Sequence, residues 1–222
     1  MDQTTTYPEA TPVRQDPGDL TQHYPGRRVG HEAARRRAEL GPGADRTWRL
    51  GADGEERTAH LLESLTGRTR RDRLLHRPPS WWVLHSVPLD GGRADIDHVL
   101  IGPPGVCVIN TRHHRGRRVL LDGDALVVDR FRTDAVARAR AEGARARELL
   151  LPRLEADLGP VPVRPVIAIV GAAMQVRRWP DDVIVATEGA LIAAMRGLTP
   201  VLDARRVERV HDVARRPGSW VG

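Results

Sequence analysis

The stretch RADIDHVLIGPPGVCVINTRHH, residues 93–114, decides the fold of this chain. Two apolar runs flank a Gly-Pro-Pro-Gly sequence, which predicts two strands joined by a tight turn. Polar residues interrupt both runs: Asp95 and Asp97 lie on the first, Asn110 and Arg112 on the second. Polar side chains inside core strands need partners, because burying them alone is costly. The stretch therefore contains either a functional site or a salt-bridged hairpin.

The register of this hairpin predicts where its polar residues lie. Closing it symmetrically on the two prolines sets Asp97 opposite Asn110, and Asp95 opposite Arg112. Directly opposite residues have Cβ atoms about 4.5–5.5 Å apart, so all four polar groups would form one patch. A slip of one residue would scatter them over both faces. The structural alternative is an Asp95–Arg112 ion pair beside an Asp97–Asn110 hydrogen bond.

An amphipathic helix is predicted upstream, over ADRTWRLGADGEERTAHLLESLTG, and it ends before Gly67. Glu55 stands four residues before Ala59 and seven before Leu62, on the apolar stripe that would face the sheet. An inward carboxylate is costly unless it has a partner. The alternative for Glu55 is a first-turn acid that the helix dipole favours.

These two segments resemble the nuclease-related domain (NERD) family of the PD-(D/E)xK restriction-endonuclease-like superfamily. The helix start matches the G-x-x-G-E pattern of that family at Gly51, Gly54 and Glu55. The hairpin matches its D-H…G-P-x-G-V pattern over residues 97–106. The sequence VINTR, residues 108–112, stands where the family has an acidic residue or Asn, one spacer and Lys.

The resemblance implies a metal-dependent nuclease that hydrolyses phosphodiester bonds in DNA. Its candidate catalytic residues are Glu55, Asp97, Asn110 and Arg112. Asp97, Asn110 and Glu55 would supply oxygen ligands to Mg²⁺, which acidifies a bound water and offsets phosphate charge. Arg112 would orient the water or stabilise the charge on the phosphate.

Two residues depart from the pattern. Asn110 offers a neutral amide in place of a carboxylate, and Arg112 stands at the lysine position of a chain in which all 35 basic residues are arginine. A guanidinium is always charged and cannot act as a base. An impaired nuclease and a catalytically degenerate module that binds nucleic acid or a protein partner therefore both remain open. A third alternative is a structural or interaction module whose basic charge merely reflects the composition of the genome.

The basic charge of the chain permits a polyanionic partner such as DNA. The net charge is +6 and the sequence pI about 10.8. The candidate nucleic-acid-binding residues are Arg112, Arg115, Arg117 and Arg118, which could track a phosphate backbone. The alternative is a solvated loop. The adjacent His113 and His114 would point to opposite faces of a strand, which disfavours a zinc site.

The chain is predicted to be one domain, residues 45–222, behind a flexible tail, residues 1–44, that is rich in Pro, Gly and charge. The expected order is α-β-β-β-(β)-α-β-β-α-α: an α/β fold with a restriction-endonuclease-like core, a mixed sheet flanked by helices. The stretch RARAEGARAR, residues 138–147, is interpreted as a solvated face of a long helix interrupted at Gly143 and Pro152.

The cellular location is predicted from two absences in the sequence. No apolar run reaches the roughly 18 residues that span a bilayer, and the N-terminus lacks a signal-peptide pattern. The single Cys107 fits a reducing compartment. We therefore expect a cytoplasmic protein that does not interact with membranes.

Overall fold

A computed structural model describes residues 18–27, 46–67, 74, 79–92 and 94–222, with side chains of the first helix described from Leu50 onward. The helices within these ranges are α1 (Arg46–Thr66), α2 (Ala135–Leu150), α3 (Leu191–Arg196) and α4 (Ala204–Ala214). The strands are β1 (Trp82–Leu89), β2 (Ala94–Gly102), β3 (Gly105–His113), β4 (Arg118–Asp122), β5 (Ala125–Val128), β6 (Phe131–Thr133), β7 (Val163–Val170), β8 (Ala173–Arg178) and β9 (Ile184–Thr187). Short 3₁₀ turns lie at Leu20–Gln22, Leu151–Arg153, Ala156–Leu158 and Pro217–Trp220.

Two sheets form the framework. The first has the order β1-β2-β3-β7-β9, antiparallel from β1 to β3 and parallel from β3 to β9. The second has the order β6-β5-β4-β8, with β8 parallel to β4. The fold is therefore α/β with mixed sheets flanked by helices, as the sequence predicted.

Helices cover both faces of the first sheet. One face packs Leu100 and Ile109 against Leu62 of α1 and Met195 of α3. The opposite face packs apolar residues of β2 and β3 against α2 and α4, with Val99, Val108, Leu149 and Val207 fully or almost fully buried. Alternation along β3 explains the two faces, because odd and even residues of a strand point to opposite sides. Even-numbered residues of β3, including Asn110, therefore face α2.

The predicted hairpin register is confirmed near its turn. Gly102 lies opposite Gly105, and His98 lies opposite Ile109. A second hairpin, β4–β5, turns at Gly123, with Leu121 opposite Leu126.

Helix α2 differs from the prediction at Gly143. The helix runs unbroken from Ala135 to Leu150, and Pro152 begins the 3₁₀ turn that follows it. A Cβ on Gly143 would lie 3.0 Å from Cβ of Pro165 on β7. Glycine therefore permits close packing of helix and strand here, and this packing offsets its low helix propensity.

Two short strands, β6 and β8, were not predicted. Three residues are too few for β6 to show a periodic pattern, and β8 carries the polar sequence AMQVRR on a sheet edge. These strands form the two edges of the second sheet, which packs its apolar face on Ile167 and Ile169 of β7.

Part of the expected N-terminal tail lies against the domain. Within residues 18–27, Leu20 is fully buried, and its backbone N–H bonds the carbonyl of Arg215 at 2.8 Å. Asp19 forms an ion pair with the Arg215 guanidinium at 2.6 Å. Residues 18–27 thus depart from the expectation of a flexible segment, since one buried leucine and paired polar groups hold them. The remainder of residues 1–44 lies outside the described residues.

No helix in the described part of the chain combines the length and the apolar character needed to cross a membrane.

Candidate functional site

The first sheet divides at the polar residues of the hairpin. Pairing of β2 with β3 extends from the turn to His98 and Ile109, and β3 then continues beside β7 as far as His113. Strand β2 continues beside β1 to Ala94. The two strands therefore diverge beyond His98, and a fork opens between them. We call this gap, at Asp97 on β2 and residues 110–112 on β3, the fork.

The carboxylate of Asp97 lies inside the fork. Its Oδ2 accepts the backbone N–H of Thr111 at 2.6 Å. The direct Asp97–Asn110 and Asp95–Arg112 pairing predicted from the register is wrong, because the ladder ends at His98. Because the β2–β3 pairing has ended at this point, the Thr111 N–H has no backbone acceptor on β2. The Asp97 carboxylate accepts its hydrogen bond instead.

Strand β1, on the other side of Asp97 from β3, also has an irregular backbone. The β1–β2 ladder pairs His85 with His98 and Val87 with Ile96, which leaves Ser86 outside it opposite Asp97. Ser86 has a left-handed backbone, with φ of 45°. Its hydroxyl donates to the carbonyl of Tyr24 at 3.1 Å, so residues 18–27 complete the hydrogen bonding here. Uncommon backbone conformations of this kind cluster at functional sites.

Close packing of α1 on β3 brings Glu55 to the fork. A Cβ on Gly54 would lie 2.9 Å from Cβ of His113 and 3.3 Å from Cγ2 of Thr111, so only glycine allows this approach. The Thr111 hydroxyl donates to the Thr58 hydroxyl, one turn along α1, at 3.0 Å. The inward orientation predicted for Glu55 is observed, with 6% of the residue exposed.

Glu55 and Asp97 share one electrostatic environment. Burial, followed by repulsion from Asp97, raises the pKa of Glu55 above its usual range. Burial likewise raises the pKa of Asp97, while the Thr111 N–H and Arg112 act in the opposite direction. Two carboxyl groups so placed resist simultaneous ionisation, since each destabilises the charge of the other.

Asn110 has a partner that the sequence did not identify. Its Nδ2 donates to Oε2 of Glu142 on α2 at 2.5 Å, and Asn110 is 3% exposed. The interpretation of residues 138–147 as a wholly solvated face is therefore wrong at Glu142. The sequence contained a signal: Glu142 follows buried Ala139 by three residues and precedes buried Ala146 by four, on the inner stripe.

Arg112 is the positive group of the site. Attraction to its guanidinium lowers the pKa of Glu55, of Asp97 and of Glu142, each of which burial raises. Its Nη1 also donates to the carbonyl of Thr111 at 3.2 Å. Electrostatic interaction therefore links Arg112 with Glu55, Asp97 and Glu142. Asn110 is connected to this group through its hydrogen bond to Glu142.

The donor atoms suit a hard cation that keeps much of its water. In the described ranges, no group of three or more His, Cys, Asp or Glu side chains is arranged to hold a metal ion. The predicted ligand set contains two carboxylates, Asp97 and Glu55, and the amide oxygen of Asn110. Mg²⁺ is usually held by one or two carboxylates and retains several waters. The chemistry of these residues therefore fits Mg²⁺, and a cation would offset the repulsion between the two carboxylates.

The predicted nucleic-acid-binding arginines follow the fork along the chain. Arg115, Arg117 and Arg118 are exposed in the turn and strand after β3. Arg117 forms an ion pair with Asp129 at 2.6 Å, and its side chain remains 62% exposed. Their contact with DNA stays a prediction.

Two histidines of this region, His98 and His113, have structural partners. His98, fully buried, shares a 2.8 Å Nδ1–Nδ1 hydrogen bond with His85. His113 Nδ1 bonds the carbonyl of Leu50 at 2.7 Å and so attaches β3 to α1.

Comparisons with known proteins give one match. A family model described as nuclease-related domain (NERD) matches residues 50–170, more than half of the 222 residues. The matched range includes every residue of the fork and excludes residues 18–27 and α4. No curated protein and no solved structure matches the chain significantly.

Proposed function

The chain belongs to the nuclease-related domain (NERD) family, and from this premise we propose that it hydrolyses phosphodiester bonds in DNA with the aid of Mg²⁺. The observation that carries the proposal is the fork, where the Asp97 carboxylate stands between two diverging strands. Glu55 reaches this point from α1 and Asn110 from β3. The PD-(D/E)xK superfamily is consistent with both the family and the α/β fold.

The acidic residues would hold the cation. Asp97 is the central ligand in this proposal, because its position on a fixed strand and its bond from Thr111 limit its movement. Glu55 approaches from α1, and the Asn110 amide oxygen offers a neutral third donor. Bound Mg²⁺ would lower the pKa of a water molecule and offset the negative charge of the scissile phosphate.

Arg112 would bind the phosphate and not exchange protons. A guanidinium stays charged at any pH at which proteins fold, so it cannot take a proton from water. Its planar donors can bind two phosphate oxygens and stabilise charge that develops during hydrolysis. The lysine position of the family thus keeps its positive charge and loses any role that requires a neutral amine.

DNA is proposed as the substrate on two grounds. The family is nuclease-related, and the exposed arginines 115, 117 and 118 continue from the fork. Each phosphate that such a side chain neutralises adds affinity that falls with salt.

Cleavage of supercoiled plasmid DNA in Mg²⁺ tests the proposal. Asp97→Asn is the informative variant, because its amide oxygen can still accept the Thr111 N–H while the ligand charge is lost. We expect wild-type protein to nick the plasmid and the variant to lose more than about 100-fold in rate, since even indirect metal-site residues are worth 10–100-fold. EDTA should abolish the wild-type activity.

The matched control is Asp157→Asn, which removes an aspartate that pairs with Arg209 at the surface. It should cleave like wild type. Equal cleavage by the Asp97 variant and the control, or cleavage that persists in EDTA, would overturn the proposed hydrolysis.

A second candidate function is binding of nucleic acid or a protein partner without cleavage. Arg112 favours it, because a fixed positive charge among carboxylates can neutralise them without a metal ion. This candidate predicts salt-sensitive DNA binding that is unchanged by EDTA and by Asp97→Asn. The nuclease proposal predicts that metal strengthens binding near the fork.

A further inference from the structure

The hydrogen bond between Asn110 and Glu142 joins the strand at the fork to helix α2. The two residues are 32 positions apart in the chain, and Asn110 Nδ2 lies 2.5 Å from Glu142 Oε2. Asn110 is buried, and Glu142 is partly buried. The contact depends on the close approach at Gly143, the next residue of the helix, to Pro165.

The contact determines how the Asn110 amide is oriented. A carboxylate only accepts hydrogen bonds, so the amide must present its NH₂ group to Glu142. A flipped amide would set its own oxygen against a carboxylate oxygen. The Asn110 oxygen is therefore directed away from Glu142 and is available to another partner.

Glu142 also contributes charge to the fork. Its repulsion helps to raise the pKa of Asp97, and Arg112 attracts it. The acidic charge around the fork therefore comes from α1, β2 and α2 together.

We propose that Glu142 is a positioning residue that, with Asn110, forms one unit of charge −1, in which helix α2 supplies the carboxylate that strand β3 lacks. Glu142 orients the Asn110 oxygen toward the cation site and adds its negative charge to the field there. The catalytic consequence of this unit rests on the proposed function. The charge and the hydrogen bond of the unit do not depend on the proposed function.

The unit explains why an amide suits position 110. An aspartate there would place two carboxylates in hydrogen-bond contact without a proton between them, which is unfavourable. Asn110→Asp alone should therefore destabilise the protein. Exchange of the two groups, Asn110→Asp with Glu142→Gln, keeps one amide, one carboxylate and one hydrogen bond.

Four full-length proteins test the unit: wild type, Glu142→Gln, Asn110→Asp and the double variant. Mn²⁺ affinity is measured by titration calorimetry at pH 8. Thermal stability is measured separately, by thermal unfolding in EDTA. We expect Glu142→Gln to weaken Mn²⁺ binding about 10–100-fold, as expected for a residue that orients a ligand. The double variant should regain wild-type affinity within about tenfold, and should unfold at a higher temperature than Asn110→Asp.

Glu148→Gln is the matched control, because Glu148 is an exposed glutamate on the same helix and pairs with Arg145. It should bind Mn²⁺ like wild type, which excludes a general effect of helix charge. Unchanged Mn²⁺ affinity in Glu142→Gln, no recovery in the double variant, or no Mn²⁺ binding by wild type would each overturn the proposal. If the wild type binds Mn²⁺ and the double variant regains this affinity, but the wild type does not cut DNA, the results would support the unit and reject the proposed nuclease activity.

Discussion

The backbone N–H of Gly26 donates a 2.9 Å hydrogen bond to Oε2 of Glu55, across 29 residues of sequence. The bond opposes burial and repulsion from Asp97, and it lowers the pKa that they raise. Gly26 lies outside the range that the family model matches, and Glu55 lies inside it. A segment beyond the matched range therefore supports the orientation of an acid in the fork.

Leu20 should anchor this segment. It is fully buried, so Leu20→Ala should lower the free energy of unfolding by about 2–5 kcal/mol. Urea denaturation measures the change. Leu74→Ala, at a leucine that is 79% exposed, should change it by less than about 0.5 kcal/mol. Equal effects of the two substitutions would show that Leu20 does not anchor the segment.

Glu55→Gln should affect stability and activity in opposite directions. The glutamine keeps an oxygen for the Gly26 N–H and removes a buried charge beside Asp97. We expect the metal-free protein at pH 8 to gain on the order of 1–3 kcal/mol, since one pKa unit corresponds to about 1.4 kcal/mol. DNA cleavage should be lost.

Thermal unfolding in EDTA and plasmid cleavage in Mg²⁺ measure these two effects. Glu56→Gln, at the exposed neighbouring residue, should change neither. A destabilised Glu55→Gln protein would contradict the repulsion inferred at the fork.

Divalent ions should stabilise the folded protein. Because a ligand that binds only the native state adds RT ln(1 + [L]/Kd), Mn²⁺ at 100 times its Kd should add about 2.7 kcal/mol. Differential scanning fluorimetry with and without EDTA measures the shift in Tm. Asp97→Asn should abolish the shift and Asp157→Asn should retain it. The same shift in both variants would place the ion elsewhere.

His211 should make the protein less stable in mild acid. Its ring stacks on Trp82 with centroids 4.1 Å apart, and burial lowers its pKa to about 4, against opposing attraction from Asp212. Between pH 6.5 and 4 the unfolded chain takes up a proton that the folded protein excludes, so stability falls as pH falls. At about 1.4 kcal/mol per pKa unit, the loss approaches about 3 kcal/mol by pH 4.

His211→Phe should keep the stacking and remove this part of the pH dependence. Urea denaturation at pH 7 and pH 4.5 gives the difference for each protein. His60→Phe, at a histidine whose side chain is 86% exposed, should retain the wild-type difference. If the stability of His211→Phe differed between pH 7 and pH 4.5 as much as that of the wild type, the acid sensitivity would have to come from other groups.

The exposed arginines after β3 should contribute to DNA binding whatever the base sequence of the DNA. Arg115→Ala and Arg118→Ala should each weaken binding and reduce the slope of log K against log salt by about 1. Fluorescence anisotropy with duplex DNA over a salt series measures the slope. Arg216→Ala, at an exposed arginine near the C-terminus, is the control. Equal slopes for all three variants would reject this surface as the contact.

Much of the site could be predicted because it depends on local pattern. Strand alternation and the turn gave the hairpin register from Gly102 to His98, and helical periodicity gave the inward face of Glu55. The prediction of opposed pairs at Asp97 and beyond was wrong, because a register argument assumes that the strands stay together. Strand β3 instead continues beside β7, with Arg112 opposite Ile169.

The sequence by itself determined the secondary structure around the fork, the types of donor atom that reach it, and the departures at Asn110 and Arg112. Only the tertiary structure decided that β2 and β3 separate at Asp97, that Glu142 bonds Asn110, and that Gly26 bonds Glu55. The physical reason is separation along the chain. Periodicity reports which face of one element is buried, whereas contacts across 29 and 32 residues depend on how whole elements pack.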